Sequence, residues 1–228
     1  DTSRRADAAE VQRAIPFDIP SDVHINFLIH TNPQSALRVI TDRTSGDYIQ
    51  LHGDGTLRAT YYNKGAFSLY GNYVVNDGIY KLTIQNIIHR QFSFMQGGTI
   101  AFGGDPYAAH LNLSAQYMVN GVSLSDLHLG RSFASSNIRV NCMMNITGTP
   151  SAPQVSFDMD MPSVGTDAKR MIMSIINSEE EKNQQVLYLL AVGRFYSQGV
   201  NNAATENDIQ QNQTSLAMQS ILSGQLSQ

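Results

Sequence analysis

Apolar and polar residues alternate over most of the first 161 positions, the period of a β-strand with one buried face. From Val23 to His30 every odd position is apolar and most even positions are polar. The same alternation picks out Leu57, Ala59 and Tyr61, then Phe67, Leu69, Tyr73 and Val75, then Tyr80, Leu82 and Ile84. It continues through Phe92 and Phe94, Ile100 and Phe102, and Leu111, Leu113, Ala115 and Tyr117. Ile138, Val140, Cys142, Met144 and Ile146 follow, and Val155, Phe157, Met159 and Met161 close the series. Asn76-Asp77-Gly78, Gly53-Asp54-Gly55 and Gly103-Gly104-Asp105-Pro106 have turn chemistry and predict turns between runs. No helical period interrupts them, so the expected fold is mainly β, a long antiparallel meander over residues 16–162.

The period then changes. Ala168, Met171, Ile172, Ile175 and Ile176 mark one face of an amphipathic helix that starts near Thr166. Ser178 with Glu181 reads as a capping box for a second helix, whose run from Val186 to Val192 is apolar on every side and therefore buried or groove-lying. The two helices are expected within residues 163–198. Residues 199–228 form an Asn/Gln-rich tail in which Met218, Ile221, Leu222 and Leu226 suggest a short last helix. Residues 1–15 are a polar, frayed or linker segment, and a start at Asp1 suggests a mature product or a fragment.

The strand pattern puts roughly two dozen large apolar side chains on one side of the sheet. Each stabilises by ~1.5–3 kcal/mol when buried, so water is not the natural partner of that face. A second sheet, closure into a barrel, or a curled sheet that holds something apolar would each satisfy it. Runs of about ten residues span ~33 Å, longer than usual strands, which favours a trough or barrel over a compact sandwich.

Composition narrows the chemistry. Only 15% of the 228 residues are charged and the net charge is −4, so nothing points to nucleic acid. Polarity comes from 17 Asn, 17 Gln and 22 Ser, which leaves the opposite face polar but barely charged. No stretch approaches the ~20 apolar residues of a helical membrane span, and no signal peptide opens the chain. The single cysteine, Cys142, excludes an internal disulfide framework and lies on the apolar parity. His24 and His30 share the outward side of one strand, and His52, His89, His110 and His128 show no pairing, so the histidines read as solvent-facing. Asp158 and Asp160, opposite Phe157 and Met159, read as surface charges rather than an acid–base pair. Gly97-Gly98 and Gly103-Gly104 lack the Gly-Lys-Ser/Thr of a phosphate loop and read as a hairpin turn and a bulge. No catalytic residue, metal ligand or cofactor site is expected.

Three sequence elements carry a resemblance. Gln96-Gly97-Gly98-Thr99-Ile100-Ala101-Phe102-Gly103-Gly104-Asp105-Pro106-Tyr107 precedes the strand from Ala109 to Tyr117. Gly148-Thr149-Pro150 leads to Pro153-Gln154-Val155-Ser156-Phe157, with Met161-Pro162 after it, and a helical segment runs from Gln185 to Phe195 through Gly193-Arg194. In this order they resemble the C-terminal domain of TamB-like proteins (translocation and assembly module, AsmA-like superfamily). The resemblance implies a curled "β-taco" sheet with an apolar concave groove, followed by helices. It also implies a non-enzymatic role in the periplasm of diderm bacteria, in a parent anchored in the inner membrane and reaching the outer membrane. The implied tasks are conduction of phospholipid and assembly or secretion of outer-membrane proteins. The implied partners are an Omp85-type, TamA-like barrel and either phospholipid acyl chains or nascent outer-membrane protein strands.

Parity then nominates the groove residues: Phe27, Ile29, Leu57, Tyr61, Phe67, Leu69, Tyr73, Tyr80, Leu82, Ile84, Phe92, Phe94, Ile100, Phe102, Leu111, Leu113, Tyr117, Val140, Met144, Ile146, Phe157 and Met159. Two other classes fit the alternation. An outer-membrane β-barrel fragment also alternates, but its aromatics would gather in girdles. A β-sandwich glycan-binding module would show aromatic platforms on the polar face, for which Tyr62, Tyr70 and Tyr107 are the candidates.

Overall fold

The computed structural model describes residues 23–197, apart from 64, 66, 85, 134 and 135. The expected N-terminal segment and the Asn/Gln-rich tail with its short helix lie outside the described residues. Nine strands form one antiparallel sheet: β1 (His24–Thr31), β2 (Ala36–Asp42), β3 (Asp47–Tyr62), β4 (Ser68–Ile84), β5 (Ile88–Phe94), β6 (Thr99–Gly104), β7 (His110–Ser123), β8 (Asn137–Thr149) and β9 (Ala152–Asp160). Their order is β1-β3-β4-β5-β7-β8-β9, with β2 also on β3 and β6 also between β4 and β7. Two helices follow, α1 (Thr166–Ile175) and α2 (Glu179–Val192). By contact density the chain divides into two units. The first holds the described residues through Lys81, with Ser93–Leu113 and Ile146–Gln154; the second holds Leu82–Phe92, Ser114–Asn145 and the described residues from Val155 onward.

Two of the expected turns are not turns. Gly53-Asp54-Gly55 lies inside β3, 16 residues long, and Asn76-Asp77-Gly78 inside β4, 17 residues long. The two strands pair directly there, His52 with Asp77 and Gly53 with Val75, which leaves Asn76 as the extra residue of a bulge. The bulge explains why the buried parity of β4 passes from odd (Tyr73, Val75) to even (Gly78, Leu82) without a chain reversal. Close approach of the strands requires Gly53: a Cβ there would sit 2.2 Å from the Val74 carbonyl oxygen and 2.8 Å from the Tyr73 ring. Glycine and asparagine serve a bulge as well as a turn, so composition alone does not separate the two.

The third glycine element behaves as expected. Asp105 Oδ1 accepts from Tyr107 N at 2.9 Å and caps the 3-10 turn Pro106–Ala108 that joins β6 to β7. The Tyr107 carbonyl then accepts from Ser151 N at 3.2 Å and Ser151 Oγ at 2.9 Å, tying this turn to the one between β8 and β9. At the break between β5 and β6, Gly97 N donates to the Val75 carbonyl (2.9 Å) and the Gly98 carbonyl accepts from Val75 N (2.8 Å). The Gly-Gly pair is thus seated beside the β4 bulge.

In α1 only Ile172 is buried, with Ile176 just beyond its end, while Met171 and Ile175 are exposed. Lys169 on α1 pairs with Asp160 at the end of β9. The Lys169 ammonium, through a hydrogen bond and then its charge, holds the Asp160 carboxyl below the usual carboxylate range. A carboxyl so depressed stabilises the fold above its unfolded value near ~3.9 and loses that contribution as pH falls through the folded value. The pair is 41% and 44% exposed, and screening limits it to less than about 0.5 kcal/mol. Asp160→Asn is therefore expected to lower the denaturation midpoint slightly at pH 7 and not at pH 2, read by urea titration.

Candidate functional site

In the helix-bearing unit the apolar face is closed. Leu82, Ile84, Phe92, Val140, Met144, Phe157 and Met159 are buried there, and Tyr117 is half-buried, tilted against Phe92 at 5.8 Å. The same unit holds α2, in which Gln185 to Leu190 are six consecutive buried residues, as expected of a helix apolar all round. Arg90, on the same side of β5 as Phe92, donates from Nε to the Leu190 carbonyl at 2.8 Å. That carbonyl is one of the last-turn acceptors left without an intrahelical donor, where a cation is also favoured by the helix dipole.

The segment from Gln185 to Phe195 forms a fold-back lock. Ser178 Oγ accepts from Glu181 N at 3.1 Å, and Glu181 Oε2 accepts from Asn177 N at 3.3 Å, a capping box displaced by one residue. Gly193, at φ +73°, ends the helix in the left-handed conformation, and its N–H donates to the Leu189 carbonyl at 2.9 Å. The chain then returns. Gln185, 3% exposed, donates to the Tyr196 carbonyl (2.9 Å) and accepts from Tyr196 N (2.7 Å). Phe195 is buried, and Arg194 makes two bonds to Asp126, at 3.0 and 3.3 Å. Beside the lock lies a cavity of about 40 Å³ lined by Leu127, Ile175, Ile176, Gln185 and Tyr196 among others. That volume suits one or two waters, not a hydrocarbon chain.

The other unit is incompletely covered. Leu57, Tyr61, Tyr73, Phe94, Ile100, Leu113 and Ile146 are buried, but Ile29, Phe67, Leu69, Tyr80, Phe102 and Leu111 are only half-buried, and Phe27 is 37% exposed. The half-buried residues lie on or beside β4, β6 and β7 as well as on β1, while the most exposed apolar-side positions of this unit fall on β1 and β2, which lie end to end along β3. β1 pairs with its second half (Ile29 opposite Leu57) and β2 with its first (Leu37 opposite Leu51). Leu37 at 39% and Val39 at 46% exposure join Phe27 on the apolar side of this margin. Alternation does not find β2, because Ile40 and Thr41 break the apolar–polar pattern after Val39. Burial, then the charges of Asp54 and Asp77, raise the Tyr73 phenol; burial also dominates the rise at Tyr80.

The histidines are spread over the opposite face and are not brought together. Among the described residues no cluster of three metal-binding side chains occurs. His24 stacks on Tyr62 at 4.3 Å, His30 bonds Thr56 at 3.2 Å, His89 bonds Thr83 at 3.1 Å and His128 bonds Ser197 at 2.9 Å. Asp158 Oδ1 accepts from Met159 N (2.8 Å). Burial pushes the Cys142 thiol up to about 12. Since only the thiolate reacts, Cys142 is expected to resist iodoacetamide at pH 8 in the folded chain and to be alkylated fully in denaturant, as read by intact mass.

One unit of this one-sided antiparallel sheet buries nearly all its nominated apolar residues, and the other keeps exposed apolar positions along β1 and β2. The profile of the TamB C-terminal domain matches residues 2–228. The chain belongs to the TamB family of envelope-biogenesis modules. No curated protein matches it. Among the described residues no helix is long and apolar enough to cross a membrane.

Proposed function

We propose that the chain works in the periplasm as a translocation and assembly module whose uncovered apolar margin, along β1 and β2, receives phospholipid acyl chains. A parent anchored in the inner membrane would deliver them toward an Omp85-type partner in the outer membrane. The observation that carries this reading is the contrast between the two units. Seven of the eight nominated residues in the helix-bearing unit are buried, whereas half of the fourteen in the other keep contact with solvent. Evenly sealed core would show no such difference. Each methylene moved from water onto the apolar side gains ~0.8 kcal/mol, and the work is physical transfer, with no bond made or broken.

A second reading rests on a different feature of the same margin. Among the described residues β1 and β2 have a strand neighbour only in β3, so their outer backbone groups are open to pairing with a client strand.

The two are separated by native mass spectrometry of protein purified without detergent. Wild type is expected to carry phospholipid. Phe27→Glu with Val39→Glu charges the margin at already exposed positions, so stability should shift by no more than about 0.5 kcal/mol each. Bound lipid should fall about tenfold, as a loss of ~1.4 kcal/mol implies. Lipid-free wild type that still captures an unfolded outer-membrane protein strand would replace the lipid reading with strand assembly.

A further inference from the structure

Two of the three tyrosines that a glycan platform would need, Tyr62 and Tyr70, already carry a partner on the ring. The Arg58 guanidinium lies 4.8 Å from the Tyr70 ring centroid, and His24 is stacked on Tyr62. Tyr48 on β3 takes two cations: the Arg38 guanidinium from β2 at 3.8 Å and the Lys81 ammonium from β4 at 5.3 Å. Tyr48 sits opposite Lys81 and Ile40 in the strand register, on the side away from Leu51. Arg38, Lys81 and Arg58 are exposed, and among the described residues none has an acidic partner. The two cations reach Tyr48 from the two strands that flank β3. Stacking leaves the in-plane N–H donors of the guanidinium free to take an anion.

The placement says which anion. Arg38 stands between Leu37 and Val39 in β2, so its side chain leaves the outer side of the margin while theirs leave the apolar side. A molecule that straddles this strand meets hydrocarbon on one side and paired cations on the other. Resting on the lipid reading above, we propose that Arg38, Tyr48 and Lys81 form a headgroup site that selects anionic phospholipids, the cations drawing the phosphodiester to the outer side while the acyl chains lie against Leu37 and Val39. Arg58 on Tyr70, beside Leu28, extends the cationic strip along β1.

The test measures binding of the 228-residue chain to phosphatidylglycerol/phosphatidylcholine vesicles and to phosphatidylcholine vesicles by flotation, with bound lipid of the same preparations identified by mass spectrometry. Wild type should prefer the anionic vesicles, and Arg38→Gln with Lys81→Gln should weaken that binding about 30-fold. The double variant should leave the total bound lipid near wild type but shift it toward zwitterionic species. Arg139→Gln, in the other unit and bonded to Asn120, should change nothing. Unchanged preference in the double variant, with lipid still bound, overturns the headgroup site and leaves the lipid reading standing. Displacement of wild type from anionic vesicles by millimolar inorganic phosphate would mark a free-phosphate site and also overturn it. Loss of bound lipid from wild type itself, with no vesicle preference, removes the lipid reading and this inference together.

Discussion

Gly53→Ala is expected to destabilise the fold by about 3 kcal/mol, at the upper end of overpacking costs. The added Cβ would meet the Val74 carbonyl oxygen at 2.2 Å and the Tyr73 ring at 2.8 Å. Neither has room to retreat: the oxygen belongs to a strand backbone paired in register, and Tyr73 is 2% exposed. The strands can separate only by breaking their ladder around the Asn76 bulge, which also seats Gly97 and Gly98 through Val75. Urea denaturation gives the measure. Gly103→Ala is the control, since a Cβ there meets nothing within 4 Å, and its expected change is within about 0.5 kcal/mol. Equal midpoints for the two variants would contradict the close-approach role of Gly53.

Gln185→Ala is expected to cost a similar amount, about 3 kcal/mol, by another mechanism. It removes one side chain and leaves two backbone groups of Tyr196 without partners in a buried setting; each such loss costs about 1–3 kcal/mol. Gln185→Glu keeps the acceptor for Tyr196 N but turns the donor toward the Tyr196 carbonyl into a second acceptor, so it should not rescue. Loss of the lock should appear first as faster amide exchange from Leu189 to Tyr196, because the Arg194–Asp126 pair, with Arg194 61% exposed, contributes little alone. Wild-type protection in that segment of Gln185→Ala would show that α2 is held by burial of Val186 to Leu190 and not by the clamp.

Much of this fold was legible because a period of two and a period of 3.6 mark different elements. Leu111, Leu113 and Tyr117, or Ala168 and Ile172, declare their element by spacing alone. The bulge at Asn76 was not legible, since Asn-Asp-Gly also describes a turn, and only the pairing of Gly53 with Val75 distinguishes them. β2 was missed because a margin strand exposed on both sides has no reason to alternate, as Ile40 beside Val39 shows. For the candidate site, parity named Phe27 and Ile29 but not Leu37 and Val39. It also did not show that Arg90, on the same side of β5 as Phe92, holds α2 through the Leu190 carbonyl. Run length tells that a helix is buried, not what it is buried against. The Arg38–Tyr48–Lys81 group comes from three strands, and no linear spacing carries it.

The most direct measurement maps where hydrocarbon touches the chain. A phospholipid with a photoactivatable group near the end of one acyl chain is loaded onto the detergent-free protein and irradiated, and the adducts are located by peptide mass spectrometry. Adducts on Phe27, Ile29, Leu37 and Val39, with Phe92, Phe157 and Leu190 unlabelled, are the expected result. Labelling concentrated on Phe92, Phe157 or Leu190 would mean that α2 does not seal its unit, and an absence of adducts on β1 and β2 would contradict the proposed margin.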